Sequence, residues 1–302
     1  LGAEQLLNGL QLGITLFLLA AGLTLVFGIM GVINLAHGSL YMIGAYGAAV
    51  TAAETGNWWL AALAGLAAAA VTGMAMELLV LRRLYARDHL DQVLATFGLI
   101  LFFNQGMVIL FGRQPLFVQT PPLFSGAVEI VPGVPYPAYR LLIIAVGLLV
   151  ALGLYVLIQR TRIGMLVRAG ATHREMVRAL GVDIRLLYTL VFGLGALLAG
   201  LAGVMAGPVY NVQVGMGEQI LILTFVVVVI GGIGSVRGAM FGALLVGVTD
   251  TLLRGFVPGW LRGLLPAEQA DALGASLSSM GVYLLMAAVL LWRPRGLFPA
   301  HA

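Results

Sequence analysis

Gly31-Val32-Ile33-Asn34-Leu35-Ala36-His37-Gly38-Ser39-Leu40-Tyr41-Met42-Ile43-Gly44-Ala45-Tyr46 is the stretch on which the fold turns. It follows an apolar run from Leu6 to Ile29, longer than the ~18 residues that mark a membrane span. Glycine supplies the backbone dihedrals that an interrupted helix requires. Asn34 and His37 bring polar groups to a depth where lipid offers no hydrogen bonds. Broken backbone is tolerated there only where it is buried in protein or lines a water-filled path. Asn34, His37, Ser39 and Tyr41 are therefore candidate path-lining residues. An ionisable group inside a span is a functional candidate by default. For His37 a second reading stays open: it ties a broken helix to its neighbour.

A similar break lies two hundred residues on, at Gly231-Gly232-Ile233-Gly234-Ser235-Val236-Arg237-Gly238. Both breaks put glycines seven apart, after one apolar run and before another. Ser235 joins the path candidates. Two tight turns at the membrane surface would give the same pattern. Small residues also recur every four positions: Gly195, Ala199, Gly203 and Gly207 in one stripe, Gly234, Gly238 and Gly242 in another. Such stripes let membrane helices approach closely, so packing is their expected role.

Composition agrees with a membrane reading. Of 302 residues, 61% are hydrophobic and 9% charged, against about 25% charged in a soluble domain. All 16 basic residues are arginine. Without lysine there is no Schiff-base amine and no P-loop, whose lysine sits on the nucleotide phosphates. Without cysteine there is no disulfide, thiolate catalysis or cysteine metal site. The four histidines are scattered, so no metal and no catalytic cluster is expected. The +4 net charge lies at the ends of apolar segments, which does not indicate nucleic-acid binding.

Nine apolar segments are expected, at 6–29, 34–53, 58–80, 91–112, 138–158, 185–207, 219–233, 238–254 and 276–292. The second and seventh are weakest, so eight or nine membrane segments form one all-α domain over 1–302. The first ten residues lack a positive leader, and the first segment is expected to stay in the membrane. Arginines mark the cytoplasmic side: Arg82, Arg83 and Arg87; Arg160 to Arg185; Arg293 and Arg295. Connections 113–137 and 255–275 are then periplasmic and the C-terminus is cytoplasmic; with nine crossings the N-terminus is periplasmic, and if segment 34–53 does not cross fully it lies inside. The first of these loops is proline-rich, and Val128 to Gly133 suggests a small hairpin. Asn104 and Gln105 lie mid-segment and are expected to face the bundle interior, as path lining or as interhelical hydrogen bonds. Asp250 precedes Arg254 by four residues, good spacing for a helical ion pair.

The connection at 160–184 reads as a short amphipathic helix. Leu166, Ala169, Met176 and Leu180 fall near one face, with Arg174 and Arg178 on another and Glu175 able to pair with Arg178. Gly181 stops it at the C′ position. A projecting amphipathic helix suits a groove on a soluble partner or the surface of anionic lipid.

Taken together, Gly31 to Tyr46 resembles the signature of the permeases of branched-chain amino acid ABC importers, in particular the H-type of their two permease subunits. Val228 to Ala243 resembles the second signature, and Gly164 to Gly181 the coupling loop. The resemblance implies a periplasmic solute-binding protein, a second homologous permease that shares the path, and two ATPases that hold ATP and magnesium. Gly164, Arg168, Ala169, Arg174, Glu175, Arg178 and Gly181 would then meet an ATPase. No cofactor is expected on this chain. Leucine, isoleucine and valine are the implied solutes, although members also carry urea, amides and aromatic acids. The competing reading is an ATP-independent channel or secondary transporter.

Overall fold

A computed structural model describes residues 2–300. The leading apolar run forms α1 (Gly2–Met30). From Leu12 onward it is mostly apolar on every face, as a helix surrounded by protein should be, and 83% of its most apolar stretch is buried. Residues 31–36 are not helical, and α2 (His37–Thr55) then begins. The Asn57 side chain caps α3 (Trp58–Leu79) by accepting from Trp59 and Leu60, and α4 (His89–Phe111) follows. The proline-rich loop contains the hairpin that Val128 to Gly133 suggests: β1 (Ala127–Val131) pairs antiparallel with β2 (Val134–Pro137). Next come α5 (Ala138–Arg160), α6 (Arg162–Thr172), α7 (Arg174–Ala179) and α8 (Ile184–Ala206). The chain ends with α9 (Met216–Gly231), α10 (Val236–Leu261) and α11 (Ala267–Trp292).

Seven of these helices are long and apolar enough to cross a membrane: α1, α3, α4, α5, α8, α10 and α11. The chain is thus a polytopic helical membrane protein. With its 16 residues, α9 is shorter. The two weak segments of the sequence are therefore the two helices that adjoin the breaks.

Close glycine contacts set the packing. α1 lies most extensively against α10. A methyl group added at Gly13 would sit 3.0 Å from the Ala243 carbonyl, and one at Gly28 would sit 3.2 Å from Gly234. Gly22 of α1 meets Gly195 of α8, Gly203 meets the Tyr41 carbonyl, and Gly242 meets the Val227 carbonyl. Gly231 and Gly238 face each other across the second break. Gly207 has only ordinary contacts with Val118 and Val212. The sequence stripes omit Gly44, Gly65 and Gly200, which bring α2, α3 and α8 together.

The helix ends sort into two groups. At the arginine-rich end, Arg82 Nη2 donates to Thr189 at 2.8 Å, and Thr189 donates to Glu77 at 2.9 Å. Glu77 is fully buried and also accepts from the Tyr85 hydroxyl. At the other end, Asn8 accepts from Tyr136 and Arg140, and the Tyr139 hydroxyl donates to the Met205 carbonyl at 2.7 Å.

Two expectations need correction. The 255–275 connection is not a loop: α10 runs on through Pro258 to Leu261, and α11 starts at Ala267. Gly255, Pro258 and Gly259 read as helix breakers in the sequence, yet Pro258 lies inside α10. An Arg262–Asp271 pair at 2.7 Å closes the remaining turn. The second correction concerns the connection at 160–184, which holds two short helices broken at His173 instead of one.

Candidate functional site

The two breaks differ in depth. At the first, Val32, Asn34, Ala36 and His37 are buried. Gly31 takes φ +65° and turns the chain back into the bundle. The freed backbone groups are bonded by side chains. The Asn34 side chain accepts from Ala36 N–H at 3.0 Å, and Gln92 of α4 accepts from Ile33 N–H at 3.2 Å. Gln92 in turn donates to the Leu84 carbonyl at 3.1 Å. His37 Nε2 lies 2.9 Å from the Leu19 carbonyl, which only accepts, so this nitrogen carries the proton. This contact matches the tying reading of His37. The Asn34 amide nitrogen is buried and has no partner among the described residues. The second break is a capped turn. The Ser235 side chain accepts from Gly238 N–H at 3.0 Å, and Gly234 N–H donates to Thr24 at 2.9 Å. Phe298 N–H donates to the Gly231 carbonyl at 3.0 Å, so the C-terminal segment covers it.

At the arginine-poor end, polar side chains converge on an open cavity of about 930 Å3. Gln5, Asn8 and Gln11 reach it from one face of α1. Tyr41 reaches it from the first turns of α2, and Arg140 from α5. Tyr210 and Gln213 come from the connection before α9, and Asp250 and Arg254 from α10. Leu12, Met216, Ile220 and Leu223 form its apolar wall. Its volume lies within the ~300–1,000 Å3 typical of small-molecule sites, and an apolar wall with a few convergent polar groups is their usual lining. Asp250 is 5% exposed, and both of its oxygens accept from Arg254 Nε, at 3.2 and 3.1 Å. Burial pushes the Tyr210 phenol above its ordinary value; nearby Arg140 opposes the shift and Asp250 adds to it. Tyr210 therefore keeps its proton near neutral pH.

Of the path candidates, only Tyr41 lines this cavity. Asn34, His37 and Ser39 are buried in the break and the start of α2, below it. Ser235 lines a second cavity, of about 940 Å3, at the arginine-rich end beside Phe17, Phe241 and Arg168. Asn104 donates to Glu218 at the start of α9. Gln105 is exposed on the outer face of α4, contrary to the inward expectation. The reason is that α4 packs weakly, with only 11% of its apolar stretch buried. The sequence reading missed Gln5, Asn8 and Gln11 as a set. Their three-residue spacing was the available signal, since it puts three amides on one face of an apolar helix.

Around the 160–184 connection, Gly164 lies where a side chain would strike the Leu157 and Ile158 carbonyls, so α6 folds tightly onto α5. Gly181 takes φ +88°, as a C′ residue does. Met176 and Leu180 are exposed at 63% and 78%, with Glu175 and Arg178 beside them. Arg168 and Ala169 stay on α6. Arg174 stays largely exposed but reaches back to its own chain: its Nη2 donates to the Ile29 carbonyl at 2.9 Å, and its guanidinium lies 5.2 Å from the centre of the Tyr188 ring. It is held by its own chain at the edge of the first break.

A family model described as the permease component of branched-chain amino acid transport systems matches residues 5–290. The high-affinity branched-chain amino acid transport permease protein BraD of Pseudomonas aeruginosa is 33% identical over 97% of this chain and 94% of its own length. LivH of Escherichia coli, of the same description, is 31% identical over 96% of both chains. The permease protein LivM of Escherichia coli is 29% identical over 93% of this chain and 67% of its own length. No solved structure matches the chain.

Proposed function

The chain belongs to the family of permease components of branched-chain amino acid transport systems, and from that premise we propose that it is one of two permeases in a binding-protein-dependent ABC importer. It forms part of the path for leucine, isoleucine, valine or a similar small solute. A periplasmic protein delivers the solute, a second homologous permease completes the path, and two ATPases on the opposite side supply the energy. The arginine-rich end faces the cytoplasm of a bacterial inner membrane, following the bias of arginine toward that side. The N-terminal end and the polar cavity then face the periplasm.

The observation that carries this reading is the position of Arg174. It joins α7 to the last turn of α1 and lies against Tyr188 of α8. Movement of α7 therefore bears on the edge of the buried break. On the outer side of α7, Met176 and Leu180 present uncovered apolar groups, the anchors by which a helix enters a groove. In the importer this groove belongs to an ATPase. The chain has no lysine for a P-loop, so nucleotide chemistry belongs to the partner.

Co-purification tests the docking. The chain with its neighbouring-gene partners, solubilised in detergent, is expected to retain the ATPase. Met176→Glu with Leu180→Glu should lose it and still leave the chain in the membrane fraction with the second permease. Full retention of the ATPase by the double variant would refute docking through α7.

A further inference from the structure

The cavity at the periplasmic end carries separated charges of both signs. Arg140 is half-buried and its Nη1 donates to Asn8 at 2.7 Å. No carboxylate pairs with it among the described residues, whose ion pairs involve Arg82, Arg87, Arg254 and Arg262. Asp250 lies on another wall, with its side chain 7% exposed. Arg254 meets its two oxygens through Nε alone. A carboxylate has about four acceptor sites, so capacity for another donor remains. Tyr210 lines the same cavity as Arg140 and Asp250. Leu12, Ile220 and Leu223 line the same space.

We propose that this cavity is a transit subsite for a zwitterionic α-amino acid with an aliphatic side chain. Arg140 receives the α-carboxylate, as a guanidinium does in its strong, bidentate form. Asp250, on another element of the cavity lining, receives the ammonium. Leu12, Ile220 and Leu223 take the side chain. The inference rests on the permease reading and narrows its substrate class. Urea and simple amides carry no charge for Arg140 or Asp250, so the subsite discriminates against them after delivery.

The test uses the full chain with its second permease in lipid nanodiscs, and saturation-transfer NMR with four probes: L-leucine, 4-methylpentanoate, 3-methylbutylamine and urea. Leucine is expected to bind, and the two fragments that lack one charge each to bind about tenfold more weakly or worse. A lost charge-assisted hydrogen bond has that scale. Urea should give no signal. Arg140→Gln should weaken leucine by about tenfold and leave 3-methylbutylamine unchanged, and Arg140→Lys should recover part of the loss. Asp250→Asn strands Arg254 and carries a folding risk, so it is made together with Arg254→Gln. That pair should weaken leucine but not 4-methylpentanoate. Absence of leucine binding, equal binding of all three charged probes, or an Arg140→Gln variant that melts and binds leucine as the parent does would each overturn the subsite. ATP-driven leucine uptake by the assembled importer is measured alongside. Uptake without discrimination in the cavity refutes the subsite and leaves the permease reading standing. If no amino acid is taken up, the premise falls and the proposal with it.

Discussion

His37 and Gly38 sit where the chain re-enters helix inside the bundle. The bond from His37 to the Leu19 carbonyl replaces one that water cannot supply there. Losing it costs about 1 kcal/mol, and the void left by the ring adds to that. His37→Ala is therefore expected to lower the melting midpoint of the purified chain and reduce uptake, and His37→Gln, which keeps a donor, to recover much of both. Reduced uptake at an unchanged midpoint would assign His37 to solute contact instead. At Gly38 the argument is steric. A side chain would meet the Gly217 backbone, and one at Gly217 would meet Gly38. Gly38→Ala forces α2 and α9 apart, at roughly 1–3 kcal/mol for overpacking. The expected readout is a lower melting midpoint, and an unchanged one would show that the two helices can part freely.

Among the elements, α6 and α7 join the membrane part to whatever lies beneath it. Gly164 folds α6 onto α5, and Arg174 fastens α7 to α1. These two contacts separate holding a partner from transmitting its motion. Arg174→Gln should leave ATPase co-purification intact and lower the leucine taken up per ATP hydrolysed. An unchanged ratio would remove Arg174 from the transmission route. The spans were legible in the sequence, because lipid requires a continuous apolar run wherever a helix crosses. The first break was legible as well, from Gly31, Asn34 and His37 together. Three features were not. The ends of α10 and α11 extend past the main apolar runs, and α10 runs on through Pro258, which by itself reads as a helix breaker. The break at His173, where α6 ends and α7 begins, has no glycine or proline at it to announce it. The cavity draws single residues from distant segments, and only the Gln5, Asn8 and Gln11 spacing and the Asp250–Arg254 pair carried a local trace.

For the molecule as a whole, a central α1 surrounded by other helices separates two differently charged ends. The arginines near residues 82–87, 160–185 and 293–295 gather at one of them, and the polar cavity opens at the other. With arginine-rich ends kept in the cytoplasm, a cysteine introduced at exposed Leu123 should react with a membrane-impermeant maleimide from outside the cell, whereas one at exposed Arg87 should react only after the membrane is opened. The reverse pattern would invert the orientation proposed here.

Transport itself is the most direct test. The chain should be reconstituted in proteoliposomes with the second permease and the ATPases, the binding protein and radiolabelled leucine should be added on its cavity side, and ATP on the other. The account predicts accumulation that needs ATP and every partner, with no flux through this chain alone. Leucine flux through the isolated chain without ATP would contradict it and make the protein a self-sufficient channel or secondary transporter.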